Sequence, residues 1–372
     1  MDWTAFREQF PVTEHWAFLD HAAVSPLPRP SVQALHEYAQ SMAANGIAAV
    51  REWFQRVNHV RALAAQLINA PDPTDVYFVP NTTHGIGVVA EGFPWAAGDN
   101  VVLAAEEYPS NQYPWMNLAH RGVEVRTVPS RGNRVSIDDV RAAMTDRTRV
   151  LTVSAVEFAS GFRNDLDALG ELCLARGVFF FVDAIQAIGA FPVDVQRTPI
   201  DALAADGHKW MLGPEGAGFG YIRREWVERL HPIGVGANSV ANPLAFSTID
   251  FTLKPHAGRW EGGAYNVPGI TALGASLELL LGAGIANVQQ RVTELTDHLC
   301  DRAARGWTVF SSRADGEKSG IVSLLHPTLP PDEVVARAKH ARVVVNSRAG
   351  RVRVSPHAYN TTDELDRFLA AL

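Results

Sequence analysis

Phe179-Phe180-Phe181-Val182-Asp183-Ala184-Ile185-Gln186, with Asp206-Gly207-His208-Lys209-Trp210 following after a further apolar run, is the stretch on which the reading of the fold turns. An unbroken apolar run with no alternation describes a strand buried on both faces, and this one delivers an acid at its carboxyl end. Outward from it, short β-rich runs at 76–79, 101–104, 123–128, 149–153 and 178–182 alternate with helical stretches and with clusters of Gly, Pro, Asn and Asp. That alternation predicts an α/β fold, a mainly parallel mixed sheet flanked by helices. In such sheets ligands sit beyond the carboxyl ends of the strands, so the polar residues after each run are the candidates for chemistry.

The rest of the chain frames this core. Apolar residues at helical spacing from Ser31 to Ala70, with Pro30 at the start and Pro71 at the stop, predict two packed helices. From about Trp260 a long helical pattern over 270–281 and 286–304 precedes short strands at 320–325 and 351–354 and a last amphipathic helix from Thr362. The expected division is a large domain at 17–258 and a smaller α+β domain made of 1–16 and 259–372.

Composition narrows the function. The 33 basic and 40 acidic residues leave a net charge of −7 with no long basic run, which argues against a nucleic-acid partner. No apolar stretch reaches membrane-spanning length, so no membrane partner is expected, and the acid- and aromatic-rich start lacks the order of a secretory signal, which makes the cytoplasm the expected compartment. The two cysteines, Cys173 and Cys300, stand far apart in helical contexts, offering neither a CxxC motif nor a zinc cluster; no metal is expected. Gly213 to Gly220 holds glycines without the G-x-G-x-x-G order of a dinucleotide-binding oxidoreductase.

A carboxylate at the end of a buried strand and a lysine 26 residues on (209 − 183) suit a pyridoxal 5′-phosphate (PLP) site. The acid pairs with the pyridinium nitrogen and keeps the ring electron-poor, while the amine of Lys209 holds the cofactor as a Schiff base. Taken alone, Asp183 could be a helix N-cap; Lys209, between His208 and Trp210, makes a poor solvated surface lysine. Thr82 and Thr83 in Asn81-Thr82-Thr83-His84-Gly85 add hydroxyls and free N–H groups at the mouth of a helix, an anion site by its own physics.

With these residues in view the chain resembles the class V aminotransferase superfamily, the group of the cysteine desulfurases, selenocysteine lyases and isopenicillin N epimerase, from Phe18-Leu19-Asp20-His21-Ala22-Ala23 to Tyr359-Asn360-Thr361. The resemblance implies a fold-type I architecture and a homodimer. It gives Lys209 the Schiff base, Asp183 the ring nitrogen, Gln186 the phenolic oxygen, His208 the phosphate and Tyr108 the place over the ring. Arg353 aligns with the substrate-carboxylate arginine, with Arg348 and Arg351 as alternatives; a guanidinium fork suits a carboxylate. His21 and Glu157 are candidates for the substrate pocket. Three departures stand out: Ala264 where a threonine reaches across the dimer, Asp206 where a serine meets the phosphate, and Ala155 where an asparagine contacts ring or substrate. Asp206 is expected to point away from a phosphate or to pair with a base.

The reaction expected is deprotonation of a small amino acid at Cα with Lys209 as the base. The desulfurase route needs a cysteine on a loop shortly before the substrate arginine, and the 343–353 segment has none. A C–S lyase-type β-elimination on cysteine or an S-substituted cysteine is therefore the first reading. Transamination, epimerisation and a non-catalytic PLP-binding regulator are the alternatives.

Overall fold

The computed structural model describes residues 1–132 and 134–372. A seven-stranded sheet forms its centre, in the order Val76–Val79, Gly218–Ile222, Ala202–Asp206, Phe179–Asp183, Thr148–Ser154, Asn100–Ala104, Glu124–Val128. Only Gly218–Ile222 runs antiparallel to both of its neighbours. The other pairings are parallel, so their carboxyl ends share one edge. Along Phe179–Asp183 the side chains alternate between two cores: Phe180 and Val182 pack on one face of the sheet, Phe179 and Phe181 on the other. Burial on both faces is why this strand reads as a continuous apolar run.

Gly218–Ile222 is the strand that the sequence hides, because GFGYI carries two glycines. A Cβ at Gly220 would lie 2.4 Å from the Tyr77 ring, so glycine is there for close approach. The helix Thr82–Gly92 lies equally close to the sheet: a Cβ at Gly85 would come within 2.4 Å of the Ala204 Cβ. That contact sets the amino end of this helix beside the end of Ala202–Asp206.

The predicted helices form as Arg29–Asn45 and Val50–Leu67, with Pro30 in the first turn and a break at Gly46. They pack against the long helix Val267–Ala283. This draws the domain divide elsewhere than at 258/259. Ile270, Leu273, Leu277 and Leu280 belong to the core of the large unit, and after the turn at Gly284 the helix Ile285–Ala303 passes from that core through Val288 and Val292 into a separate cluster through Leu295 and Leu299. At the other end, Ala17–Phe18 pairs in parallel with Val343–Val344, and Ala17 and Leu19 sit in the small-unit core. The first sixteen residues touch both units: Phe6 and Phe10 pack in the large core, while Arg7 pairs with Glu364 of the last helix at 2.8 Å. The small unit's sheet has the order Asn346–Arg348, Arg351–Val354, Val322–Leu325, Thr308–Val309. The tight turn Ala349-Gly350, both at positive φ, brings two arginine-bearing strands together at the mouth of the site described next.

Candidate active site

At the shared carboxyl edge of the sheet lies a cleft of about 330 Å³. Ser154, Asp183 and Asp206 reach it from three strand ends, Thr82 and Thr83 from the helix mouth, and Arg348 and Arg353 from the small unit. Lys209 stands in the same cleft. Its loop is clamped at the carbonyl, which accepts from Ser25 Oγ at 2.6 Å and from Leu212 N–H at 3.0 Å. Burial lowers the Lys209 amine to about 8 against the pull of the Asp183 carboxylate, with Arg353 adding to the lowering.

Asp183 is buried and raised to about 6, because desolvation outweighs the Ile185 N–H at 3.1 Å and the charge of Lys209. Its Oδ2 has no protein partner among the described residues. Gln186 donates one N–H of Nε2 to the Ala22 carbonyl at 3.1 Å and accepts from Trp210 Nε1 at 2.8 Å, which leaves its other amide N–H for a ligand. At the helix mouth Asn81 caps the His84 N–H at 2.8 Å, Thr82 Oγ1 accepts from Asp206 N–H at 3.0 Å, and Thr83 donates to Ser110 Oγ at 2.8 Å. Among the described residues the Thr82 and Thr83 N–H groups have no protein acceptor, as first-turn donors do.

His208 Nδ1 lies 2.9 Å from Asp206 Oδ2, in an ion-pair approach whose angle falls outside hydrogen-bond geometry. Asp206 Oδ1 accepts from Gly207 N–H at 2.7 Å. The acid beside the anion site therefore pairs with a base. Tyr108 closes the cleft from outside: the Lys209 Nζ is 5.7 Å from its ring centroid, and Phe158 meets the ring edge-on at 5.1 Å.

Two proposed pocket residues lie elsewhere. His21 is fully buried behind the cleft; its Nδ1 donates to the Ser355 carbonyl at 2.9 Å and its Nε2 accepts from Tyr359 O–H at 2.8 Å, a neutral ring whose pKa burial and His357 push well down. Both nitrogens are spent, so it is an interior histidine. Glu157 is buried too, held at Oε1 by Asn164 at 3.0 Å, with burial and repulsion from Glu107 raising it well above the usual carboxylate range. The departure from the relatives' asparagine also shifts. Ala155 lines a different cleft, while its neighbours Ser154 and Phe158 line the cleft around Lys209.

Other contributors were not singled out from the sequence. Glu107 is buried behind Ser154, accepting from Ser154 N–H at 2.6 Å, Ser154 Oγ at 2.5 Å and Asn111 Nδ2 at 2.9 Å, and burial lifts it to about 7. Asp20 sits 3.2 Å from Arg353 Nη2. A charged group next to a named candidate, as in Asp20-His21 and Glu107-Tyr108, was the available signal in each case. Arg351 stacks on Phe310 at 3.7 Å, away from the cleft. The turn at 261–266 rests on Glu261, which takes the Arg61 fork at 2.7 and 2.9 Å, Phe78 N–H at 2.7 Å and Tyr265 O–H at 2.9 Å. Ala264 borders a neighbouring cleft with Pro80 and His84.

The donor set fits PLP: an amine for its aldehyde, a buried acid with an open oxygen for its ring nitrogen, an amide N–H for its phenolic oxygen and the first-turn N–H groups of a helix mouth for its phosphate. The chain is 29% identical to a probable cysteine desulfurase of Methanothermobacter thermautotrophicus over 96% of its length and 94% of that protein's. It is 30% identical to a cysteine desulfurase of Klebsiella pneumoniae, with 96% and 92% covered. In architecture it is similar to the cystine C–S lyase C-DES in complex with cysteine persulfide, with a TM-score of 0.91, 22% identity and 97% and 98% of the two chains covered, a likeness of fold. The aminotransferase class-V family matches residues 17–368, and the chain is a PLP-dependent enzyme belonging to that family.

Proposed function

We propose that the protein cleaves the carbon–sulfur bond of cysteine or an S-substituted cysteine by β-elimination. One observation carries this reading: the cleft around Lys209 contains no thiol. The relatives named above are cysteine desulfurases, and a persulfide carrier would have to be a cysteine within reach of the substrate. Cys173 is 1% exposed on the helix Leu166–Arg176, its thiol pushed up by burial, and Cys300 lies in the small-unit core with its thiol pushed up to about 11. Neither is a thiolate at neutral pH. Elimination needs a base at Cα and a leaving sulfur, and no second nucleophile.

The residues divide the work accordingly. Arg353 and Arg348 orient the substrate carboxylate. The Lys209 amine, lowered toward neutrality, takes the proton from Cα. Tyr108 and Phe158 exclude water from the face they cover. PLP, when bound, supplies the electron sink for the charge left at Cα, and Asp183 is the acid that would keep its ring nitrogen protonated. The sulfur leaves with a proton, as a thiol or, from cysteine itself, as hydrogen sulfide, and one water hydrolyses the released aminoacrylate to pyruvate and ammonia.

The assembly belongs to this proposal as a cytoplasmic homodimer. Leu244, Phe246, Ile249 and Phe251 are 79, 78, 93 and 70% exposed in one segment shortly before the turn at 261–266, an apolar patch that a second copy would cover. The two free, buried thiols suit a reducing compartment.

The experiment is an absorption spectrum of wild type and Lys209→Ala, then addition of L-cysteine, S-substituted cysteines and L-alanine with assays for pyruvate and sulfide. A visible cofactor band lost in the variant, with pyruvate from the cysteine compounds alone, supports the elimination. Conversion of the cofactor to its amine form without pyruvate replaces it with transamination.

A further inference from the structure

Beyond the strand Thr148–Ser154 the chain makes a tight hairpin, closed by Glu157 N–H to the Phe162 carbonyl at 2.8 Å and by Gly161 N–H to the Glu157 carbonyl at 2.9 Å. Its tip, Phe158-Ala159-Ser160-Gly161, springs from the large sheet, yet each of its four carbonyls accepts from a side chain of the small unit. Arg353 Nη1 donates to Phe158 at 3.1 Å, Ser323 Oγ to Ala159 at 2.7 Å, Ser311 Oγ to Ser160 at 2.5 Å and Ser319 Oγ to Gly161 at 2.6 Å. All four donors are buried. Ser323 pairs with Arg353 across two antiparallel strands, and its own N–H donates to Ser311 Oγ at 2.8 Å, which orients that hydroxyl. Gly161, at φ +74°, approaches so closely that a Cβ there would lie 2.3 Å from the Ile321 carbonyl oxygen. A loop ordinarily turns its carbonyls to water; four in a row, each given its own buried donor, make a clasp between the two units.

One residue of the clasped tip faces the cleft. Phe158 is half-buried, lines the space around Lys209 and meets the Tyr108 ring edge-on at 5.1 Å. We propose that Phe158 is the wall that limits the size of the substrate's side chain, and that Ser311, Ser319 and Ser323 are positioning residues that keep this wall from yielding. For Phe158 to retreat, the tip must give up hydrogen bonds inside a buried contact, and a buried carbonyl left unpaired is costly. The wall is therefore stiff, and a bulky substituent is rejected where a loose loop would make room for it. The substrate class that follows is cysteine or a cysteine thioether with a small apolar group on sulfur, whose sulfur also gains from contact with an aromatic ring. This rests on the reading of the cleft as an amino-acid site.

The test titrates S-methyl-L-cysteine and S-tert-butyl-L-cysteine, alike in charge and different in bulk, into the holoenzyme with cofactor absorbance as the binding readout. Wild type is expected to bind the methyl compound more tightly by about tenfold or more. Phe158→Ala should close that gap to about twofold. Ser323→Ala, which unties one carbonyl, and Gly161→Ala, which wedges the tip away from the small unit with every donor still in place, should each narrow it by about threefold or more, although neither residue lines the cleft. A mere loss of folded protein lowers the signal for both compounds and leaves their ratio where it was. Equal or tighter wild-type binding of the tert-butyl compound, no binding of the methyl compound, or a wild-type ratio in Phe158→Ala or in both clasp variants overturns the proposal. If one clasp variant does not fold the other decides, and Phe158→Ala decides if neither does. Pyruvate is assayed in the same solutions. Selectivity without pyruvate keeps this inference and removes the elimination; pyruvate without selectivity does the reverse.

Discussion

Lys209 should be the most reactive lysine of the cofactor-free protein at neutral pH, with a titration midpoint that its neighbours set in a definite order. Its amine sits at about 8 where an ordinary lysine has 10.5. At pH 7 about one amine in ten is then unprotonated, against about one in three thousand for the ordinary side chain, an advantage of about 300-fold in free nucleophile. Burial is the main cause, and charge corrects it: Asp183 favours the ammonium, while Arg353 and Arg348 oppose it. Removing the anion in Asp183→Asn should therefore move the midpoint down, by about one unit, and raise modification at pH 7 about fivefold. Removing a cation in Arg348→Gln should move it up. The assay is acetylation or reductive methylation of cofactor-free protein across pH 6 to 11, with the Lys209 peptide followed by mass spectrometry. A midpoint at or above 10, or an upward shift in Asp183→Asn, would refute the account of how the cleft prepares its base.

The buried ion pair beneath the 261–266 turn gives a stability prediction. Glu261→Gln leaves Arg61 buried opposite a neutral group, a loss of about 3–5 kcal/mol. For a chain of 372 residues this corresponds to a fall in Tm of about 4–6 °C, and a change under 1 °C by calorimetry would contradict the pairing. The thiol-free reading of the cleft predicts that a Cys173→Ala, Cys300→Ala double variant releases pyruvate from cysteine within about twofold of the wild-type rate. A drop of about tenfold or more, with the visible band intact, would restore a thiol carrier to the mechanism.

The sequence by itself determined five strands of the seven-stranded sheet and the central pair of the cofactor chemistry, because both rest on local signals. A strand buried on two faces must be apolar throughout, so FFFVD is legible without its neighbours, and Asp183 and Lys209 follow from chain order beyond strand ends, while Gln186 and His208 entered through the resemblance to the class V aminotransferases. The two long helices before Pro71 and the pair around Gly284 were legible for the same reason, through periodicity and their stops. What only the tertiary structure decided are relations between segments distant along the chain. Gly218–Ile222 is a strand through its pairing with two strands distant along the chain, and Gly220 is a glycine because the Tyr77 ring fills the space above it. His21 and Glu157 turn inward because Tyr359, Ser355 and Asn164 meet their polar atoms, which no local pattern encodes. Phe158 in place of Ala155 faces the cleft because the chain turns between them. Arg353 meets Asp20, 333 residues away in sequence, at 3.2 Å. Periodicity records which faces of an element are buried; the pairing of charges depends on distances in space that the fold alone creates.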